Sequence, residues 1–187
     1  MISSRSDLHN PLPSWRSGSV REQILSFVEG VTSEDHPDFV PEDRRIAVFD
    51  SDGTLIVEYP VLVQLQFALE HGGAMLRREP DLATTESLQA LAAGDIHRFT
   101  SFGKKGVYEL VMVLLNGIEH EESIAAMSGW LATATSSRYE RPVTACIYQP
   151  MLELIALLKS RGFICFVVTG GGADFVREFA PAVYGIP

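Results

Sequence analysis

Several features of membrane, secreted and nucleic-acid-binding proteins are missing from this sequence. No stretch reaches the roughly 18 apolar residues of a membrane helix, and residues 1–19 lack the apolar centre that a signal peptide needs. Basic residues number 15 against 24 acidic ones and form no run, which argues against a nucleic-acid partner. The sequence predicts a cytoplasmic protein that binds neither a membrane nor a nucleic acid. Longer relatives that carry a leader sequence could still be exported.

Cysteine is also scarce. The two that occur, Cys146 and Cys165, lie in apolar stretches, and no second cysteine or histidine stands at ligand spacing from either. We therefore expect two buried thiols outside any disulfide or zinc site. The five histidines are scattered along the chain and form no metal-binding pair. We expect them on the surface or in loops.

What is present is the composition of a soluble globular protein, with 46% hydrophobic and 21% charged residues. The 187 residues suffice for one core domain that carries a sizeable insertion. The formal net charge is -9. An anionic substrate would therefore need a metal ion or local positive charge at its site.

The most informative stretch is an apolar run, residues 46–49, followed at once by Asp-Ser-Asp-Gly-Thr. The run is typical of a buried strand, and burying acid at its end is costly unless a partner offsets the charge. Asp50 and Asp52 suit a hard cation such as Mg²⁺ together with phosphate. Gly53 permits a sharp turn, Thr54 can hydrogen-bond within it, and the N–H groups of the turn could hold phosphate oxygens.

A second apolar strand is predicted over residues 163–168, and it ends in a hydroxyl and three glycines. Thr169, Gly170 and the glycines that follow predict an anion-binding turn at a helix start, although they also fit a plain flexible turn. Because ligands bind beyond the carboxyl ends of parallel strands, Asp50 and Asp52 should face Thr169 and Gly170 across one site.

Between the two strands the apolar spacing is helical. The helices predicted there cover residues 61–73, 84–93, 106–116, 121–134 and 149–161, and two more are predicted outside the strands, at 19–30 and 173–179. The order of strand, helices and strand predicts a βαβ unit with a parallel sheet covered on both faces and a helical insertion in its crossover.

The expected domain boundaries follow from this order. Residues 1–18 form a flexible arm that Trp15 tacks down, and Glu58 lies at the cap hinge or meets a substrate amine. The domains expected are an α/β core over 19–58 and 140–187 and a helical cap over 59–139.

This pattern resembles that of the haloacid dehalogenase superfamily. The first family motif is a strand followed by D-x-D-G-T, here Asp50–Thr54, and the second is a strand ending in Ser or Thr, here Thr169 with Gly170. A helical cap between them is typical of the phosphoserine-phosphatase-like branch. The resemblance runs from about residue 19 to the end, and it implies a Rossmannoid α/β fold with a parallel sheet and an inserted α-helical cap.

The resemblance implies a Mg²⁺-dependent phosphomonoester hydrolase that acts on a small phosphorylated metabolite. Asp50 is the expected nucleophile, which forms an aspartyl phosphate, and Asp52 the general acid and base. The Asp50 carboxylate and the Asp52 backbone carbonyl are expected to hold Mg²⁺. The residues expected to bind phosphate are Gly53, Thr54, Thr169 and Gly170. An aspartate two residues after the nucleophile resembles a phosphatase or phosphotransferase more than a dehalogenase.

The sequence departs from the family pattern after the second motif. The family's third motif is a lysine and its fourth an acidic cluster, but the fifteen residues after Gly172 contain no lysine. Their acids, Asp174 and Glu178, fall in a predicted helix and are interpreted as surface charges. The core is thus expected to be incomplete at the C-terminus, as in a truncated chain.

Four basic residues were weighed as substitutes for that lysine. Lys159 and Arg161 precede the second strand and should lie at the opposite edge of the sheet, whereas Lys104 and Lys105 fall in an expected cap loop that can swing over the site. All four also fit solvated surface charges. Two alternative functions stay open, a non-catalytic remnant that binds phosphate, metal or a partner, and a phosphotransferase. An open sheet edge would favour a homo-oligomer.

Overall fold

The computed structural model describes residues 10–117 and 120–187, with residues 115–117 described by their backbone alone. The helices and strands, in chain order, are α1 (Ser19–Thr32), β1 (Ile46–Asp50), α2 (Val63–Arg78), α3 (Glu86–Ala92), α4 (Ile96–Ser101), α5 (Gly103–Gly117), α6 (His120–Thr133), β2 (Thr135–Ser136), β3 (Arg141–Pro142), α7 (Gln149–Ser160), β4 (Ile164–Val168), α8 (Ala173–Arg177) and α9 (Ala180–Tyr184). Short 3₁₀ turns lie at Glu42–Arg44, Pro80–Leu82 and Val143–Ala145.

The chain divides into two compact units. The first contains the described residues up to Val57 together with Cys146–Gly170 and Ala180–Pro187. The second contains Glu58–Ala145 and Gly171–Phe179. Glu58, which was expected at a hinge, is therefore the first residue of the second unit.

The first unit is built on a parallel pair of strands. β1 pairs with β4 in a register that sets Ile46 beside Ile164 and Asp50 beside Val168. α7 begins at Gln149 with proline in its first turn and buries Ile155 and two leucines. The predicted α/β fold with a parallel strand pair and a helical crossover is confirmed.

One expectation about this sheet is wrong. Side chains alternate between the two faces of a strand, and on one face Phe49 and Cys165 are buried. The opposite face is exposed: its apolar members are Ile46 (58%), Val48 (60%), Ile164 (51%), Phe166 (49%) and Val168 (54%). The apolar run along each strand suggested cover on both faces, but among the described residues only one face is covered.

The described part of the expected flexible arm is packed against the first unit. Leu12 is completely buried, and the backbone N–H of Ser14 donates to a carboxylate oxygen of Glu153 at 2.9 Å. Trp15 donates its indole N–H to the carbonyl of Pro150 at 2.9 Å, which agrees with the prediction that Trp15 anchors the arm. The arm is thus in contact with the first unit at Leu12, Ser14 and Trp15, and residues 1–9 lie outside the described part of the chain.

The second unit has a helical core of its own. The fully buried side chains at its centre include Leu76, Leu88, Leu91, Phe99 and Leu110. Helix α2 runs through Gly72 and Gly73, where the sequence predicted a stop. A Cβ on Gly72 would lie 2.5 Å from a methyl carbon of Leu110, so glycine here permits close approach of α5 and does not end the helix.

The segment after the three glycines also belongs to the second unit. Phe175 lies 5.6 Å from Phe67 and 6.2 Å from Trp130, measured between ring centroids. The expected core segment, residues 140–187, is thus divided between the two units. Contacts of this kind between residues far apart in sequence are not visible in a local pattern.

His71 is the histidine that departs most from the expected surface position. It lies within α2 and stacks on Phe67 with the ring centroids 5.1 Å apart. Burial, and to a lesser degree the charge of Arg78, lower the pKa of His71. His9 lies outside the described residues.

Two further predictions concern the cysteines and membrane spans. Cys146 and Cys165 are both buried and form no disulfide, as expected, and burial raises the pKa of the Cys165 thiol. Within residues 10–117 and 120–187, every helix is too short or too polar to cross a bilayer.

The exposed sheet face leads to a test. We expect Phe166→Thr to reduce the binding of an apolar fluorescent dye, because the change removes a large apolar side chain from the face and keeps a β-branched residue that suits a strand. Tyr108→Thr, at a position 65% exposed in α5, should leave dye binding unchanged. Equal dye binding by Phe166→Thr and the unaltered protein would contradict the exposed face.

Candidate active site

The chain leaves β1 in a tight turn that closes on the carbonyl of Ser51. The N–H groups of Thr54, Leu55 and Ile56 all point to this oxygen, at 3.3, 2.8 and 3.1 Å. Ser51 itself is only 1% exposed. The buried carbonyl thus has its hydrogen-bond partners inside the turn, which keeps the turn compact.

Gly53 forms the bend of this turn. Its φ of 76° lies in the left-handed region, where side chains other than glycine are strained. Its N–H donates to the carbonyl of Ile56 at 2.8 Å. The N–H groups of Gly53 and Thr54 are therefore bonded within the turn, contrary to the expectation that they offer themselves to phosphate.

The returning chain fixes the far side of the turn within the first unit. Val57 donates its N–H to the carbonyl of Cys146 at 2.9 Å, and Tyr148 donates to Leu55 at 3.0 Å. These bonds tie the turn to the segment that starts α7. A shift of the turn would break bonds on both of its sides.

Asp50 ends β1 and is exposed. Its Oδ2 accepts a hydrogen bond from the Thr54 hydroxyl at 3.3 Å. The expectation of a carboxylate buried at the strand end is wrong, since the side chain reaches solvent on the same face as Ile46 and Val48. An exposed carboxylate can be reached from solvent by a substrate or by a cation.

Asp52 is half-buried on the turn, and Tyr184 of α9 lies within its electrostatic reach. Tyr184 is only 4% exposed. Burial and then the charge of Asp52 raise the pKa of the Tyr184 phenol well above its ordinary value. The shift therefore affects Tyr184 only at alkaline pH, above the ordinary tyrosine pKa of about 10. Tyr184 was not predicted from the sequence, because a lone tyrosine in a short helix carries no local signal of such a neighbour.

Thr169 and Gly170 follow β4 at the edge of the sheet where Asp50 ends β1. The register sets Asp50 beside Val168, and neighbouring strands lie about 4.8 Å apart. Thr169 is half-buried and Gly170 exposed, and a Cβ added to Gly170 would meet nothing within 4 Å. The parallel register therefore brings the two predicted motifs to the same end of the sheet.

The glycines after Thr169 are not all open, as the sequence suggested. Within the second unit, the N–H of Gly172 donates to Oε1 of Gln64 at 2.9 Å. The helix that follows is only five residues long. Gln64 is a second residue that was not predicted from the sequence, since it lies 108 positions away along the chain.

Several of the charged residues considered as substitutes or surface charges have partners elsewhere. Lys104 and Lys105 lie in the first turn of α5 and not in a loop, and Lys105 pairs with Glu109 at 3.8 Å. Lys159 donates to the carbonyl of Gly185. Asp174 pairs with Arg177 at 2.8 Å, which agrees with its interpretation as a helix-surface charge.

The metal ligands available are few. Across residues 10–117 and 120–187, histidine, cysteine, aspartate and glutamate nowhere form a group of three or more that could hold a metal ion. Asp50 and Asp52 are the two acidic residues at the carboxyl end of β1. Any cation here would take its remaining ligands from water or from a bound anion.

Comparison with protein families identifies the chain. The model of the haloacid dehalogenase-like hydrolases matches residues 47–187, which include both motifs and the helical insertion. The chain belongs to the haloacid dehalogenase-like hydrolase family. A search of curated proteins found no match. Membership of this family identifies the matched region as a hydrolase domain. It also accounts for the two motifs at the carboxyl ends of β1 and β4.

The turn geometry predicts different costs for two glycine substitutions. Gly53→Ala should lower the free energy of unfolding by about 1–2 kcal/mol, because alanine is strained at a left-handed φ. Gly170→Ala, where the added carbon meets open space, should change it by less than about 0.5 kcal/mol. Urea denaturation measures both. Equal losses for the two variants would contradict the observed turn.

Tyr184 predicts a loss of stability at alkaline pH. Since folding raises the pKa of Tyr184, its contribution to stability is complete below the ordinary tyrosine pKa, about 10, and is lost as the pH rises above it. Tyr184→Phe should remove this part of the pH dependence in denaturation experiments. Tyr148→Phe keeps Tyr184 and should retain it. An unchanged alkaline loss in Tyr184→Phe would contradict the assignment.

Proposed function

We propose that this hydrolase cleaves phosphomonoesters with Asp50 as its nucleophile. The observation that carries the proposal is an exposed carboxylate at the carboxyl end of β1, in register with the residue that precedes Thr169. An oxygen of Asp50 forms a bond to phosphorus while the bond between phosphorus and the ester oxygen breaks. The product is an alcohol and an aspartyl phosphate, which water then hydrolyses to the free carboxylate and phosphate.

Asp52 is proposed as the general acid and base. It protonates the departing ester oxygen and later accepts a proton from the attacking water. Its place on the turn after Asp50, two residues away, supports this role, because Gly53 and the bonds to the Ser51 carbonyl hold the backbone there. Tyr184 is a buried neighbour of this carboxylate, whose charge contributes to the raised pKa of the Tyr184 phenol.

Phosphate oxygens are proposed to bind at the end of β4. Thr169 offers a hydroxyl and Gly170 a backbone N–H with open space around its Cα. Gly53 and Thr54 contribute indirectly, because their N–H groups are bonded within the turn. Thr54 instead holds Oδ2 of Asp50 through its hydroxyl, which orients the nucleophile.

Mg²⁺ is the proposed cofactor, and the donors present suit it. Asp50 supplies a carboxylate and Asp52 a backbone carbonyl, both hard oxygen ligands, and Mg²⁺ is commonly held by one or two carboxylates with waters and substrate phosphate. When bound, the cation supplies positive charge against the phosphate. Two unit charges of one sign 4 Å apart repel by about 4 kcal/mol at an effective dielectric constant near 20. So few protein ligands suggest that metal and phosphate bind together.

The proposed substrates are small phosphorylated metabolites. The helical insertion between the motifs supports the phosphoserine-phosphatase-like branch, and phosphoserine is one candidate. We also propose a cytoplasmic location. Within the described residues no further strand pairs with β1 or β4, and these unpaired edges, together with the exposed apolar face, support self-association.

Two other functions compete with hydrolysis. A domain that binds phosphate or metal without turnover is favoured by the bonds that engage Lys105 and Lys159 elsewhere, because neither then neutralises phosphate. A phosphotransferase would use the same aspartyl phosphate with an alcohol as acceptor. Adding an alcohol such as glycerol distinguishes a phosphotransferase from the hydrolase, since a transferase forms a new phosphate ester in preference to releasing phosphate.

Replacing the nucleophile tests the proposal. Asp50→Asn should reduce Mg²⁺-dependent phosphate release by about a thousandfold or more, and Asp52→Asn by about a hundredfold or more. Asp174→Asn, which removes a surface carboxylate paired with Arg177, is the control and should retain activity. EDTA should abolish activity and added Mg²⁺ restore it. Phosphate release that survives Asp50→Asn would falsify the assigned nucleophile.

A further inference from the structure

A residue distant along the chain tethers the loop that follows β4. Gln64 lies half-buried in the first turn of α2, and its Oε1 accepts the Gly172 N–H at 2.9 Å. A Cβ added to Gly172 would lie 2.5 Å from Nε2 of the same side chain. The Gln64 side chain thus accepts the hydrogen bond of the Gly172 N–H. It also occupies the space in which a side chain at position 172 would lie.

A second contact has the same spacing. Phe67, three residues after Gln64 on α2, lies 5.6 Å from Phe175, three residues after Gly172. Residues three apart on a helix lie on one face. The segment that starts at Gly172 is therefore held along one face of α2 at two points, one polar and one apolar.

We infer that Gln64 is a positioning residue for the phosphate-binding loop Thr169–Gly172. The inference rests on the proposed function, because it assigns this loop to phosphate. Glycine-rich segments lose much conformational freedom when they are ordered. A hydrogen bond that already holds one end of the loop lowers the cost of ordering it around an anion.

Gly172 has a different role in this loop from the residues that precede it. The Gly172 N–H donates to Gln64 and is not offered to phosphate, so its role is to fix the end of the loop. Loosening the tether should weaken phosphate binding in the substrate complex and in the transition state alike. Such uniform losses raise KM and leave kcat nearly unchanged.

Two substitutions at Gln64 separate hydrogen bonding from side-chain volume. Gln64→Met keeps a long unbranched side chain without the acceptor, whereas Gln64→Glu keeps an acceptor oxygen. Both residues suit a helix about as well as glutamine. Gln89→Met is the matched control, because the Gln89 side chain also makes an exposed hydrogen bond to the backbone, in this case by donating to the carbonyl of Ala83.

Amide hydrogen exchange at Gly172 measures the tether without any need for activity. We expect exchange to accelerate about 2- to 10-fold in Gln64→Met, the range that corresponds to loss of one hydrogen bond. Gln64→Glu and Gln89→Met should exchange at the rate of the unaltered protein. Gly172→Ala should cost stability in the unaltered protein and much less in Gln64→Ala, where the colliding amide is absent.

Phosphate binding measures the positioning role. The Kd for inorganic phosphate and the KM for a phosphomonoester should rise about threefold or more in Gln64→Met, with kcat within about twofold. Gln89→Met should change neither constant. Unchanged phosphate binding in Gln64→Met, or no phosphate binding by the unaltered protein, would overturn the positioning role. Unchanged Gly172 exchange would overturn the tether itself.

The two proposals can fail separately. An unaltered protein that binds phosphate but hydrolyses no phosphomonoester would refute the proposed hydrolysis. In that case the exchange and phosphate-binding results for Gln64→Met would still support or overturn the role of Gln64.

Discussion

The parallel pairing of β1 with β4 is the interaction on which the rest of this structure depends. It joins segments more than a hundred residues apart, Ile46 with Ile164 at one end and Asp50 with Val168 at the other. Closing so long a loop costs conformational entropy that grows only slowly with length, and the helices between the strands form their own core. Because the two strands are parallel, both motifs lie at the carboxyl end of the strand pair.

The turn after Asp50 shows how a family motif is used locally. Its short polar sequence suggested N–H groups ready for phosphate, yet the turn uses several of them to satisfy the buried Ser51 carbonyl and the Ile56 carbonyl. What remains for chemistry is side chains: the exposed Asp50, held by Thr54, and the half-buried Asp52 beside the buried Tyr184. The hydrogen bonds within the turn therefore hold the backbone of the two aspartates in place. The N–H groups that make these bonds are not available to bind an anion.

Several elements could be predicted because their signals are local. The apolar runs before Asp50 and Thr169, and proline at the start of α7, each act through neighbours along the chain. Other features could not be predicted in this way. Gly72 was predicted to end a helix, but it lies within α2 and allows close packing against Leu110. The apolar residues Val48 and Phe166 were predicted to be buried, but they face solvent. Each of these outcomes depends on a partner, or on an uncovered face, that local spacing does not specify.

The sequence by itself determined the strands, the crossover and the acids that follow β1, since alternation, helical spacing and turn residues are properties of adjacent positions. Only the tertiary structure decided which groups at the candidate site are open. Gly53 and Gly172 both carry N–H groups, but one is bonded inside its turn and the other to Gln64. Hydrogen-bond partners are assigned by folding, because a donor and its acceptor need only be close in space.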